Sequence, residues 1–368
     1  MRGRRKSIRA SLATDVSSPV GSDPALQENL LKMEAALKNT KRLVVLTHDN
    51  PDPDSVSSAL ALAHIVTQRF KIPAFVRYGG IVGRAENRAL IRELKLRVKP
   101  LSDADFKPGT DFALVDMQPR TGNSSFTAKR KPVIVIDHHP LRKTTKADFI
   151  DIRGHYGATA TMLTEYLLAS GVDIPAKLAT ALSYGISSET QDLGREAQEA
   201  DVQAYLALFP KSNKKALAAI SHPRLSRDFF MTLNRAMHHS FVYKNAITTS
   251  LGEIKNPDFV PLVADFILRL ERMTWAMCLG RYQDRIVVSI RTTNTKGEAG
   301  RFLRRLIGKK GTAGGHGMIA GGQVNCSTME HEKCTQAEEE LIRDFLKKLG
   351  YKESAELVPL LTAEPLHS

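Results

Sequence analysis

At 368 residues, 42% hydrophobic and 25% charged, the chain reads as a globular protein whose length favours two cores over one. No run approaches the roughly 18 consecutive apolar residues of a membrane span, and three cysteines exclude a disulfide framework and predict a reducing, cytoplasmic setting. The formal charge of +14 favours acidic partners, nucleotides or nucleic acid among them, and five of its cations fall between Met1 and Arg9.

Residues 1–24 read as a disordered basic tail, Arg- and Ser-rich like an organellar transit peptide but without the apolar stretch of a secretion signal. Asp23-Pro24 marks a helix start, with apolar residues recurring at helical spacing to Lys38. A strand over 42–47, a helix over 55–70, a strand over 72–77 and a helix over 85–94 follow. Strands at 112–116 and 132–137 come next. This alternation predicts a doubly wound, mainly parallel α/β sheet.

Gly157-Ala158-Thr159-Ala160-Thr161 opens a helix to Gly171, either offering bare N–H groups to a phosphate or capped by Thr159 or Thr161. An apolar helix over 175–184 leads into Ser188-Glu189-Thr190, and 195–240 reads as a helical linker. The second half predicts a smaller α/β domain with a mixed sheet. Its strands fall at 243–251, 275–281 and 285–291, and its helices at 258–271, 300–307 and 336–349, with a glycine-rich loop over 308–322. The resulting division is 25–194, 195–240 and 241–350, with a C-terminal tail over 351–368. Cys326, His331 and Cys334 lie close together but match no zinc-ligand spacing.

Chemistry gathers at the strand ends. Leu43–Thr47 delivers His48, followed by Asp52 and Asp54; Phe112–Val115 delivers Asp116; Val133–Ile136, four β-branched residues in a row, delivers Asp137-His138-His139. Ligands of open α/β sheets gather at the carboxyl ends of strands. Acids and imidazoles together suit hard divalent cations such as Mn²⁺ or Mg²⁺. Asp116, on its own strand, is the natural bridge between two ions, and such a pair neutralises charge on a phosphoryl group during displacement. The glycines of 314–317 allow backbone N–H groups close to a phosphate, to which His316 can donate.

His48-Asp49-Asn50-Pro51-Asp52-Pro53-Asp54, Asp116 and Asp137-His138-His139-Pro140 together resemble successive motifs of the DHH phosphoesterase superfamily. Gly314-Gly315-His316-Gly317 resembles the signature of its DHHA1 C-terminal domain. The resemblance implies two Mn²⁺ ions, one held by His48, Asp52 and Asp116, the other by Asp54, Asp116, His138 and Glu189. It places His139 beside the scissile phosphate and has Asp137 orient the imidazoles. Arg291, Gly314, Gly315, His316 and Gly317 would hold substrate, with His316 also catalytic. Glu189 stands where the family usually carries Asp, one methylene longer, and Asp192 is a substitute nearby.

By the same resemblance, the layout is that of the nano-RNases: a two-metal-activated hydroxide, in a cleft between domains, cleaving very short oligoribonucleotides or 3′-phosphoadenosine 5′-phosphate. A linear or cyclic dinucleotide phosphodiesterase or a single-strand exonuclease is the alternative within enzymes, and the pyrophosphatase branch, which lacks the DHHA1 loop, is disfavoured. A nucleotide- or RNA-binding protein that has lost hydrolysis is the alternative outside them, with Glu189 as its mark. The implied partners are substrate and at most a second copy of the chain; no membrane and no specific protein partner is implied.

Overall fold

The apolar β-branched runs form strands. In a computed structural model of the protein the described residues are 23–127, 130–194, 197–327, 331–351 and 357–361, the side chains of His316 and His331 excepted. The expected basic tail therefore lies almost wholly outside them. No described helix is long and apolar enough to cross a membrane. The chain divides into two units, one of residues 1–82 and 86–223 and the other of 83–85 and 224–368. The helices expected to form a linker over 195–240 are instead shared out, because their apolar faces bury against different cores. Ala204, Leu208 and Ile220 pack within the first unit, whereas Phe229 and Ala236 pack within the second.

In the first unit α1 (Pro24–Ala36) begins as its sequence predicts, Asp23 accepting the Ala25 N–H at 2.8 Å. The strands are β1 (Arg42–Leu46), β2 (Ala74–Tyr78), β3 (Val98–Pro100), β4 (Thr110–Val115), β5 (Ile134–Asp137) and β6 (Phe149–Ile152). The remaining helices are α2 (Pro53–Gln68), α3 (Ala85–Glu93), α4 (Thr159–Ser170), α5 (Ala176–Glu189), α6 (Glu199–Leu208) and α7 (Lys214–Ser221). The sheet order is β3-β2-β1-β4-β5-β6 and every pairing is parallel. From β1 the chain winds outward to β3, returns to β4 on the other side of β1, and winds outward to β6. The reversal falls between β1 and β4, the switch point at which ligands bind in such sheets.

β6 and β3 escape the sequence reading because each is short and broken by polar residues. Asp151 interrupts β6 and pairs with Arg153 at 2.7 Å, and β3 is the tripeptide Val-Lys-Pro. One sheet face, with Val45, Val115 and Ile136, packs on α2, α4 and α5; the other, with Val44, Leu46, Phe112, Leu114 and Val135, forms a separate cluster with Met117 and Phe126.

The second unit holds α8 (Arg227–His238), β7 (Ser240–Tyr243), β8 (Ala246–Glu253), α9 (Phe259–Ile267), β9 (Trp275–Tyr282), β10 (Arg285–Thr292) and α10 (Ala299–Ile307). After these come β11 (Gly311–His316), β12 (Ile319–Asn325), α11 (His331–Lys348) and β13 (Val358–Pro359). Its sheet is mixed, in the order β11-β12-β10-β9-β8-β7-β13, with β8 and β9 parallel and the other pairs antiparallel. Three expectations change here. The single strand over 243–251 is two, turned at Lys244 (φ 52°) and Asn245. The tail beyond 350 contributes β13, paired to β7. The glycine-rich loop is a hairpin, because strand pairing uses only backbone groups, and here the missing side chains make room: a Cβ on Gly300, at the start of α10, would lie 1.9 Å from the Gly315 carbonyl oxygen.

α5 comes close to the first turn of α2 at Gly185. A Cβ on Gly185 would lie 2.3 Å from Ser57 Oγ and 3.1 Å from the Pro53 carbonyl oxygen. Gly185→Ala must therefore push α5 off the first turn of α2. The expected cost is about 1–3 kcal/mol, read as a lowered midpoint of chemical denaturation with an unchanged slope.

Candidate metal centre

β1 ends at Leu46, and buried Thr47 leads into His48. The His48 Nδ1 lies 3.0 Å from the Asp49 carbonyl oxygen, and since a carbonyl only accepts, Nδ1 carries the proton and a neutral ring presents the Nε2 lone pair. That nitrogen lies 3.4 Å from Asp52 Oδ2 and 3.5 Å from Asp116 Oδ2.

Asp52 and Asp54 belong to the start of α2, which begins at Pro53 rather than at the expected Ser55. Asp52 is its N-cap: Oδ1 accepts the Ser55 N–H at 2.9 Å while Oδ2 faces His48. Asp54, in the first turn, is 1% exposed. Its Oδ2 accepts the Thr159 N–H at 2.9 Å and its Oδ1 the Ala160 N–H at 2.7 Å. The first N–H groups of α4 are thus taken by a carboxylate and neither threonine caps the helix, whose N-cap is Ala158.

Asp116 follows β4 with φ 59°, a left-handed conformation that Asp tolerates better than most residues. Its main-chain N–H donates to the Ile136 carbonyl at 2.9 Å, and its side chain is 4% exposed. Oδ2 faces His48, whereas Oδ1 faces His138 Nε2 at 3.6 Å and accepts the Thr159 hydroxyl at 2.9 Å. His138 repeats the arrangement of His48. Its Nδ1 lies 3.1 Å from the Tyr156 carbonyl oxygen, which turns Nε2 toward Asp116 and, at 4.0 Å, Asp54.

Asp137 orients one imidazole, not both. It accepts the His139 main-chain N–H at 3.1 Å and Nδ1–H at 2.8 Å, and its other oxygen accepts the Gln118 amide at 2.7 Å. His139 Nδ1 also lies 3.8 Å from Asp116 Oδ1, beyond hydrogen-bond reach, so that nitrogen belongs to Asp137. The His139 ring is 40% exposed, against 15% for His48 and 9% for His138.

The carboxylates collect without a positive side chain. Among the described residues no Lys or Arg pairs with Asp52, Asp54 or Asp116, and buried carboxylates without a counter-charge are costly. Burial, reinforced by the charges of Asp116, Glu189 and Asp52, pushes the Asp54 carboxyl well above its usual range. Burial opposes charge on the imidazoles too, but carboxylates outweigh it: Asp52 and Asp116 raise His48 well above its usual value. Asp116 and Glu189 raise His138, and Asp137 and Asp116 raise His139. Conversely burial opposes the charge of Asp52, and His48 more than offsets it, leaving that carboxyl lowered. Either a proton or a cation must therefore stand between each Nε2 and its acids.

The donor set fits a cation. The spacings of 3.4–3.6 Å exceed a good N–H···O bond and suit two donors that share one ion at about 2.1 Å each. Ligand atoms of His48, Asp52 and Asp116 lie within 4.8 Å of one another. The second set brings Asp116 and His138 together, with Asp54 turned toward α4 and Glu189 near enough for its charge to act on both Asp54 and His138. Asp192 is engaged elsewhere, accepting from Ser187 Oγ and acting on Tyr205.

Gln118, 1% exposed, borders the site and carries no signal in the sequence that would single it out. Beyond its bond to Asp137, its Oε1 accepts from Arg142 N at 2.9 Å and Thr145 Oγ1 at 2.7 Å, tying the loop after His139 to the strand end. Thr159 was legible only as a cap.

In the second unit Arg291 is 4% exposed at the end of β10. Its guanidinium is held by Asp265 and donates to Ser289 Oγ at 2.7 Å. Gly314 and Gly315 lie in β11 and Gly317 (φ 45°) in the hairpin turn, its carbonyl accepting the Ala299 N–H at 2.9 Å. The His316 side chain lies outside the described residues. Cys326 and Cys334 are buried thiols outside any disulfide, and burial together with the Cys334 thiol pushes Cys326 up to about 11.

Known proteins resemble this chain over part or nearly all of its length. The N-terminal domain of the DHH family matches residues 42–186. An uncharacterised protein of Methanocaldococcus jannaschii is 31% identical over 94% of this chain and 75% of its own length. A probable manganese-dependent inorganic pyrophosphatase of Brevibacillus brevis is 27% identical over 41% of this chain, which thus spans about half (48%) of that protein. Among solved structures, an exopolyphosphatase-related protein from Bacteroides fragilis shares the fold at a TM-score of 0.69 and 16% identity, over 88% of this chain and 97% of that one.

Because the imidazoles must lose their raised protons before they can bind a cation, metal affinity should increase with pH through and above about 6.5. Titration calorimetry with Mn²⁺ at pH 6 and pH 8, in buffers of different ionisation enthalpy, should show tighter binding at pH 8 and net proton release. Affinity independent of pH, with no proton release, would contradict the assignment.

Proposed function

Because the chain belongs to the DHH family, we propose that it is a divalent-metal-dependent phosphohydrolase acting on very short oligoribonucleotides or 3′-phosphoadenosine 5′-phosphate. The observation that carries this reading is Asp116, one buried carboxylate whose two oxygens face imidazoles from two different strands. Manganese dependence in the names of relatives supports Mn²⁺ as the first cation to test.

In this reading His48, Asp52 and Asp116 hold one ion, and Asp116, Asp54, His138 and Glu189 hold a second. When bound, the cations supply positive charge opposite the phosphoryl oxygens and lower the pKa of water. The protein's part is to fix the donors. The Asp49 and Tyr156 carbonyls set the tautomers of His48 and His138, and Thr159 holds the Asp116 carboxylate. Asp137 keeps a proton on His139 Nδ1, and His139, the most exposed of the three rings, is assigned proton transfer to the leaving oxygen. Arg291, Gly314, Gly315, His316 and Gly317 are assigned the substrate phosphates, with Arg291 exchanging Asp265 for a phosphate.

The test is a panel of two- to five-residue RNAs, 3′-phosphoadenosine 5′-phosphate, a linear dinucleotide and inorganic pyrophosphate, each with Mn²⁺ and with Mg²⁺. Release of mononucleotide or phosphate from the first two groups supports the proposal. Turnover of pyrophosphate alone would redirect it to that branch, and binding without turnover would favour a binding protein. Asp116→Ala should abolish turnover and reduce bound metal. His139→Gln should lower kcat by about 10²–10⁴ with metal content unchanged; loss of metal in that variant would move His139 into the ligand set.

A further inference from the structure

The first unit carries a second concave feature on the sheet face away from α2, α4 and α5, and none of its lining residues belongs to the metal centre. Strand register builds it. Val44 and Leu46 lie in the cluster on that face; Val44 pairs with Phe75, Leu46 with Arg77, and Arg77 with Lys99. Neighbours in register share a face, and Arg42 joins them by alternation along β1. Arg42, Arg77, Lys99, Lys41, Lys107 and Asp105 line a cavity of about 680 Å³, within the usual range of small-molecule sites.

Five cations thus meet one acid, and that acid is already occupied. Asp105, 2% exposed, accepts Arg42 Nη2 at 3.0 Å and Arg77 Nε at 2.9 Å, with Ser102 N and Oγ both at 3.2 Å. Burial works against its charge, but the bonds from Arg77 and Arg42 outweigh burial and hold the carboxyl below its ordinary value. The Phe75 ring lies 4.8 Å from the Arg42 guanidinium and 5.7 Å from that of Arg77, so both are fixed before any ligand arrives.

A trio of this kind explains itself as a brace for the short turn Asp103–Phe106. The lysines need a different explanation. Among the described residues Lys41, Lys99 and Lys107 form no ion pair, and gathering them around one concavity with two fixed guanidiniums raises mutual repulsion with no structural return. A multiply charged anion removes that repulsion, and fixed guanidiniums with mobile ammonium groups suit phosphate oxygens.

We propose that this cavity binds a compact polyanion bearing two or more phosphate groups, inorganic or carried on a nucleoside, independently of the metal centre. Because its charges are side-chain cations, binding here needs no divalent ion, which separates it from phosphate capture through bound metal.

The test is calorimetric titration of the full chain with inorganic tripolyphosphate in excess chelator. One site is expected, weakening steeply with salt. Lys99→Glu/Lys107→Glu, and separately Lys41→Glu, should each reduce affinity at least tenfold with the melting temperature unchanged, since all three side chains are exposed. Arg301→Glu, in the other unit, should leave it unaltered. A nucleoside triphosphate that binds equally well assigns recognition to the phosphates alone; tighter binding adds the nucleoside to the site. Absence of binding, binding indifferent to the lysine substitutions, or binding of a ten-residue single-stranded RNA but of no compact polyanion would each overturn the proposal.

Discussion

Among the described residues no lysine or arginine balances the buried carboxylate of Asp116, and that is the constraint around which the first unit is arranged. Removing Asp116 from water without a partner costs several kcal/mol, and the chain adds to that cost by turning the residue left-handed at the end of β4. What surrounds it suits a cation as the missing charge. Two imidazoles are turned edge-on to it, the Nε2 of each on one carboxylate oxygen, and the Nδ1 of each gives its proton to a main-chain carbonyl. Both rings are thereby held as lone-pair donors in their neutral state. A cluster selected for stability alone would have been assembled the other way round, with N–H groups aimed at the acid.

The doubly wound sheet supplies the means. β1 and β4 are neighbours in space but lie far apart in sequence, and β5 follows on the far side of β4, so three chain segments deliver His48, Asp116 and His138 to adjacent strand ends. The helices then fix the acids. Asp52 serves at once as the cap of α2 and as an acid facing His48, and Asp54 two residues further in closes the start of α4. Capping and ligation ask the same thing of a carboxylate, an oxygen held in a set direction, which is why one residue can serve both.

Much of this was legible because strand ends advertise themselves. Apolar β-branched runs that stop at Asp or His gave the parallel sheet, its order of chemistry and the residues that converge. Less legible was anything that depends on what a backbone group touches. Gln118 is an ordinary glutamine until the fold brings Asp137 and Thr145 to its two ends. The hairpin of 311–325 was hidden because glycine carries no strand signal, although pairing needs none and the close seat of α10 requires the absence of side chains. The helices of 195–240 looked like a connector because an apolar helix face does not say which core it will join.

Glu189 owes its position to packing on one side and to backbone strain on the other. It ends α5, and the approach of that helix to α2 is set four residues earlier by Gly185, so the backbone position is fixed by packing. Immediately after it Gln191, Asp192 and Leu193 are all left-handed, at φ 48°, 56° and 64°, a run that costs about 1–2 kcal/mol per residue. This turn carries Asp192 toward Ser187 and Tyr205. Glu189 is the acid whose charge reaches Asp54 and His138. A strained turn just beyond a side chain whose charge reaches two buried groups is the pattern expected where position outweighs stability.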